Sequence, residues 1–209
     1  MGQSALRELE VVTHKQIASL IEATSSERWR AALGLAGFAG LRLGEIRALR
    51  WRDVDLSAGT VSVSASMARN GIPGPPKTKA GRRVVPLVPA LRRLLVALRL
   101  RSPRTGPNDL VIATAQGGVI QERNIRRALD AAKGTAALDT TDGRLSMHSL
   151  RHSWASALAT SGLPATTLAR LAGHADAGFT LRVYASDPRD DEAVAASVLA
   201  LAEEAGFGG

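Results

Sequence analysis

Apolar residues recur at helical spacing over most of this chain, and at strand spacing over a short stretch near its middle. Thr13 followed by Gln16 forms a capping box, which predicts a helix through Ile17, Leu20 and Ile21. Ser25 or Ser26 opens a second helix carrying Trp29, Leu33 and Phe38, and a short third follows Gly40, turning Leu41, Ile46 and Leu49 inward. The period then changes. Thr60-Val-Ser-Val-Ser alternates apolar with polar, the pattern of a half-buried strand. Asn70-Gly71 is a hairpin turn signal, Pro73 to Pro76 mark an irregular or edge segment, and Arg82-Arg-Val-Val-Pro reads as a third short strand. From Pro89 the helical period returns, with Leu91, Leu94, Leu95 and Leu98 on one face. Asp109 to Ala113 predicts a short buried strand, and Gln121 to Lys133 a helix before a Gly/Thr/Asp loop that runs to Gly143. Ser146 caps a long helix ending at Gly162, the place of a C′ glycine. Pro164 opens the next helix as an N1 proline, Gly173 closes it, and a final helix spans Pro188 to about Glu204. With no repeat and no low-complexity linker, the expectation is one α+β domain, mostly helical, with helices around a small antiparallel three-stranded sheet.

Composition narrows the function. The 209 residues are 45% hydrophobic and 22% charged, a globular balance. With no cysteine, disulfide scaffolds, thiolate zinc sites and cysteine nucleophiles are excluded. The longest apolar run, Ala31 to Leu41, is bracketed by Arg30 and Arg42 and is shorter than the roughly 18 residues of a membrane span. There is no signal-peptide pattern at Met1, so a soluble cytoplasmic protein is expected. The net charge is +8, carried by 23 Arg and only 4 Lys. That excess points to a polyanionic partner, because a guanidinium fork matches two phosphate oxygens at once. An Arg- and Ala-rich composition also arises in a GC-rich genome, so charge alone does not decide.

Gly34, Gly37 and Gly40 have a spacing like that of a phosphate-binding loop, but no strand precedes them and no Gly-Lys-Ser/Thr follows. Close helix approach is the better account. His148 and His152 are spaced as two metal ligands on one helix face, yet position 149 is Ser where a zinc peptidase needs Glu. No metal site is expected. In His148-Ser-Leu-Arg151 an imidazole and a guanidinium share one face near a helix start, where the dipole already favours an anion.

Further fragments extend this pattern. Leu171-Ala-Gly-His174 is followed by Tyr184, the only tyrosine in the chain. Upstream lies Gly40-Leu-Arg42-Leu-Gly-Glu45-Ile, and between them Pro76-Lys77-Thr-Lys79 through Arg83 and Val85-Pro86-Leu reads as a lysine-bearing hairpin. Taken in order, the constellation resembles the catalytic domain of tyrosine recombinases, the phage-integrase family, from about Val11 to Glu204. The resemblance implies that Arg42 and Arg151 clamp a scissile phosphate, Tyr184 is the nucleophile, and His148 the base or proton carrier. It further implies that His174 touches the phosphate, Lys77 is the general acid with Lys79 its alternative, and Glu45 braces the arginine and histidine from behind. His152 also matches the family pattern, in a structural role.

Lys79, Arg82 and Arg83 are candidate DNA-backbone contacts, as are Arg123, Arg126 and Arg127, with a solvated basic face as the rival reading for each. Trp51 and Trp154 read as core, not as stacking platforms. The implied reaction is cleavage and rejoining of double-stranded DNA through a 3′-phosphotyrosine, with no cofactor and no metal, in a bacterial or phage-infected cell. A tetramer on DNA assembled through the C-terminal helix is implied as well; packing of that helix on its own domain is the alternative. A type IB topoisomerase and a non-catalytic DNA-binding relative are the competing functions. Because the resemblance starts about ten residues after Met1, residues 1–209 are expected to form the catalytic domain alone, the family's usual N-terminal core-binding domain being absent from this chain.

Overall fold

The computed structural model describes residues 12–68, 70–76, 79–137, 145–161 and 163–173. The helix expected from Pro188 lies outside them, as does Gly162. Seven helices are described: α1 (His14–Glu22), α2 (Glu27–Gly37), α3 (Leu43–Ala48), α4 (Pro89–Arg101), α5 (Glu122–Thr135), α6 (Met147–Thr160) and α7 (Ala165–Ala172). The capping box at α1 forms as read: Thr13 Oγ1 accepts from the Gln16 N–H at 3.2 Å, and Gln16 Oε1 accepts from the Thr13 N–H at 2.8 Å. Helix α2 is the hub, packing against α1, α4 and α6. Its small residues make this approach possible: a Cβ on Gly37 would lie 2.6 Å from Ile17 Cγ2, and one on Gly34 2.9 Å from Leu91 Cδ1. The glycine spacing is thus explained by helix packing.

Among the described residues there are five strands, β1 (Val54–Asp55), β2 (Thr60–Val63), β3 (Ser66–Met67), β4 (Pro73–Gly74) and β5 (Arg83–Pro86). The main sheet is three-stranded and antiparallel, in the order β1-β2-β5, with Val61 opposite both Val54 and Val85. Its membership differs from expectation. The Asn70-Gly71 turn joins β3 and β4 into a separate two-stranded ribbon, and the third strand of the main sheet is β1. Two residues are too few to show a period. Residues 109–113 also depart from the expected strand. Leu110 and Ala113 make only isolated bridges, to Arg50 and Val119, although Val111 and Ile112 are buried. The Leu49–Arg50 segment that Leu110 meets turns at once into a helical turn at Trp51–Asp53, so pairing cannot extend. Pro164 is the N-cap of α7 and not its first residue, a shift of one position.

Trp51 and Trp154 are core residues, 3% and 1% exposed. Trp154 packs on Gly40, whose backbone is left-handed (φ 62°) and whose carbonyl accepts from Arg151. An added Cβ would fall 2.2 Å from the indole Cε3. Gly40→Ala therefore meets both a disfavoured φ and a rigid ring, and is expected to destabilise the fold by about 2 kcal/mol or more in urea unfolding.

Candidate active site

The α2–α3 turn, the start of α6 and the end of α7 converge, each for a local reason. The left-handed Gly40 reverses the chain after α2, so that Arg42 becomes the N-cap of α3. Glu45, in the first turn of α3, reaches back: Oε2 accepts from the Arg42 backbone N–H at 2.8 Å, and Oε1 accepts from Arg42 Nη1 at 2.9 Å. Ser146 caps α6 by accepting from the Ser149 N–H at 3.2 Å, which presents His148 and Arg151 from the helix's first turns. Helix α7 ends on the left-handed Gly173 (φ 60°), leaving carbonyls that no helical N–H can reach. The two arginines take them. Arg42 Nη2 donates to the Gly173 carbonyl at 2.7 Å, and Arg151 Nη2 donates to the Ala172 carbonyl.

Arg42, His148 and Arg151 line one open pocket of about 530 Å³, together with Leu43, Arg126, Leu129 and Asp130. Arg151 is only 4% exposed, and its Nη1 donates to the Gly40 carbonyl. Burial, with the charges of Arg42 and Arg83, draws its pKa down to about 9, partly offset by Glu45. It remains a cation at neutral pH. His148 is exposed overall, yet burial of its inner side, followed by the charges of Arg151, His152 and Arg42, holds it below the usual imidazole value. Neutral at pH 7, it is able to accept a proton. The electrostatics of this pocket suit a small anion.

Arg83 occupies a different place from the surface expected for a DNA-backbone contact. It is buried, with Nη1 and Nη2 on the two oxygens of Glu45 at 2.9 and 2.8 Å. The signal was present in the strand period: in β5, Arg83 and Val85 face inward, while Val84 faces out. Arg82, by contrast, is exposed, as are Arg123, Arg126 and Arg127. Lys79 begins a short helical turn, Lys79–Gly81. Lys77, His174 and Tyr184 lie outside the described residues. Sequence reasoning also missed Arg47, a fully buried arginine that donates to the Ile120 carbonyl at 2.8 Å and pairs with Glu122 at 3.1 Å.

Burial pushes the Glu45 carboxyl up, but the bonds and charges of Arg83 and then Arg42 outweigh it and hold the group below the ordinary carboxylate range. A depressed folded-state pKa stabilises the fold above the unfolded value, about 4.3, and that contribution is lost as pH falls through the folded value. Urea unfolding between pH 7 and 3 is expected to show this acid loss, and Glu45→Gln to remove its share of the slope.

These residues sit in a fold and order that define a class. The chain belongs to the phage integrase family, which it matches over residues 10–189. Among curated relatives, the tyrosine recombinase XerC-like protein of Caldanaerobacter subterraneus subsp. tengcongensis is 26% identical over 200 residues, covering 85% of this chain and 50% of that protein. The tyrosine recombinase XerC of Halalkalibacterium halodurans is 34% identical over 152 residues, 73% of this chain and 48% of the relative. The chain spans about half the length of these relatives. Solved structures share the fold: the Tn1549 transposon integrase in complex with transposon right end DNA superposes with a TM-score of 0.72 at 18% identity, over 96% of this chain and 68% of that one. The XerA recombinase gives 0.68 at 21% identity, over 93% and 64%. No helix among the described residues is long and apolar enough to cross a membrane.

Proposed function

We propose that this chain is the catalytic domain of a site-specific DNA recombinase that cuts and rejoins strands by transesterification at Tyr184. The observation that carries the reading is the pairing of Arg42 and Arg151 in one pocket with His148, each arginine oriented by carbonyls or a carboxylate. In-line attack on a phosphodiester builds negative charge on the non-bridging oxygens, and two fixed guanidinium groups stabilise that charge. The phenol oxygen of Tyr184 forms the new bond to phosphorus while its proton passes to His148. The bond from phosphorus to the 5′ oxygen breaks, and Lys77, or Lys79 in its place, delivers a proton to that oxygen. The product is a 3′-phosphotyrosine and a free 5′-hydroxyl, and attack by a 5′-hydroxyl from a second duplex reverses the step on a new partner. His174 completes the phosphate contacts.

The exposed Arg82, Arg123, Arg126 and Arg127 supply contacts to the DNA backbone. Assembly as a tetramer on DNA through residues 188–204 belongs to the same proposal. Wild-type protein mixed with a nicked duplex, selected from a random library for binding, tests the reading on a denaturing gel. A covalent protein–DNA species that exchanges strands between two such duplexes supports it. Relaxation of supercoils with no second site would favour a topoisomerase, and binding without any adduct a non-catalytic relative.

A further inference from the structure

The carboxylate behind the pocket, Glu45, holds two arginines of opposite exposure. The Glu45 side chain is 2% exposed; that of Arg42 is 39% exposed, while that of Arg83 is 1% exposed. Only Arg42 reaches the pocket, yet Arg83 makes the closer match to the carboxylate, one Nη on each oxygen. Arg83 also donates to the Gly81 carbonyl at 3.2 Å, and its Nε has no hydrogen-bond partner among the described residues. A buried cation with an unmet donor carries a desolvation cost that an apolar side chain would avoid. Stability alone gives weak reason for it.

Charge gives a stronger one. A carboxylate that gripped Arg42 alone would fix its geometry and cancel its charge in the same act, and the charge is what a phosphate needs. With Arg83 present, the three guanidinium groups of Arg42, Arg83 and Arg151 are grouped with the one carboxylate of Glu45, and the surplus of that cluster stays positive. The groups are tightly stacked: a Cβ on Gly173 would lie 2.9 Å from Arg83 Nη1 and 3.3 Å from Arg42 Nη1.

We infer that Arg83 is a positioning and counter-charge residue: it neutralises Glu45 from the buried side, so that Glu45 can hold Arg42 in place without spending the charge that Arg42 presents to a phosphate. The inference rests on the reading of this pocket as a phosphate site. It also makes β5 part of the site, joining it to α3 through one ion pair.

The test uses inorganic phosphate as the probe and the full 209-residue chain at pH 7.5, with binding followed by the His148 ring resonances. Arg83→Met leaves Glu45 to Arg42 alone and is expected to weaken phosphate binding by about tenfold. Adding Glu45→Gln removes the uncompensated carboxylate and should recover most of that loss, and Arg83→Lys, which keeps the charge, should lose less than Arg83→Met. A merely structural Arg83 would make the double variant as weak as, or weaker than, Arg83→Met, which overturns the inference. So does an Arg83→Met protein that binds phosphate as tightly as wild type. If Arg83→Met alone does not fold, the double variant decides: affinity near that of wild type supports the inference, and a tenfold or greater loss contradicts it. The readout is anion affinity and not strand cleavage, so these failures leave the proposed reaction standing. A wild-type chain that binds no phosphate at this pocket contradicts the phosphate reading itself.

Discussion

Tyr184→Phe is expected to fold and bind DNA like wild type and to form no covalent adduct at all. The substitution removes one hydroxyl and keeps the ring. With a single tyrosine in the chain, no second phenol can take over. The loss should be absolute, because no arrangement of arginines replaces a missing nucleophile. The companion experiment separates nucleophile from acid. A 5′-bridging phosphorothiolate has a leaving group that needs no proton, so it should restore cleavage to Lys77→Ala and leave Tyr184→Phe inert. If Lys77→Ala cuts ordinary DNA normally, Lys79 inherits the role. Denaturing gels of nicked duplex reactions report all of these outcomes.

Arg151→Ala should be the next most damaging change, and it should act twice. In the proposed reaction it removes one of the two guanidinium groups assigned to the phosphate, which is expected to slow single-turnover cleavage by a factor on the order of 100 or more, about 3 kcal/mol of transition-state stabilisation. In the fold it strips partners from the Gly40 and Ala172 carbonyls, which Arg151 joins across the α2–α3 turn and the end of α7. Leaving buried acceptors unpaired costs about 1–3 kcal/mol each, so the unfolding midpoint should fall as well. Arg151→Lys keeps a charge but cannot span both carbonyls, so cleavage should remain well below wild type. The unfolding midpoint thus separates the two arginine effects from Tyr184→Phe, which should leave stability unchanged.

Much of this architecture is local chemistry and could be read from the chain. Thr13 and Gln16 cap α1 because their side chains are the right length to exchange bonds across one turn, and Gly173 ends α7 because a left-handed residue closes it. Strand β2 shows its period over four residues, whereas β1 has two and shows none. Val111 and Ile112 look like a strand because burial, and not ladder pairing, sets their apolar character. In the site, the spacing of Arg42 with Glu45 and of His148 with Arg151 put each pair on one helical turn, and their assignment to one site came from the resemblance. Their convergence was expected from the resemblance and not from spacing, and Arg42 and Arg151 do meet, lining one pocket and both donating to carbonyls at the end of α7. Arg83 was misjudged by weighing charge ahead of strand parity: an arginine between Arg82 and Val84 reads as surface until its register with Val85 places it inside. Lys77, His174 and Tyr184 rest on the order of motifs alone.

The central claim is a covalent bond at one residue, and mapping that bond tests it most directly. The wild-type chain is trapped on a nicked duplex, digested with trypsin and nuclease, and the nucleotide-bearing peptide is sequenced by mass spectrometry. The account predicts the peptide containing Tyr184, with its phenol oxygen joined to a 3′-phosphate and the opposite DNA end released as a 5′-hydroxyl. An adduct on any other residue, or a linkage to a 5′-phosphate, contradicts it.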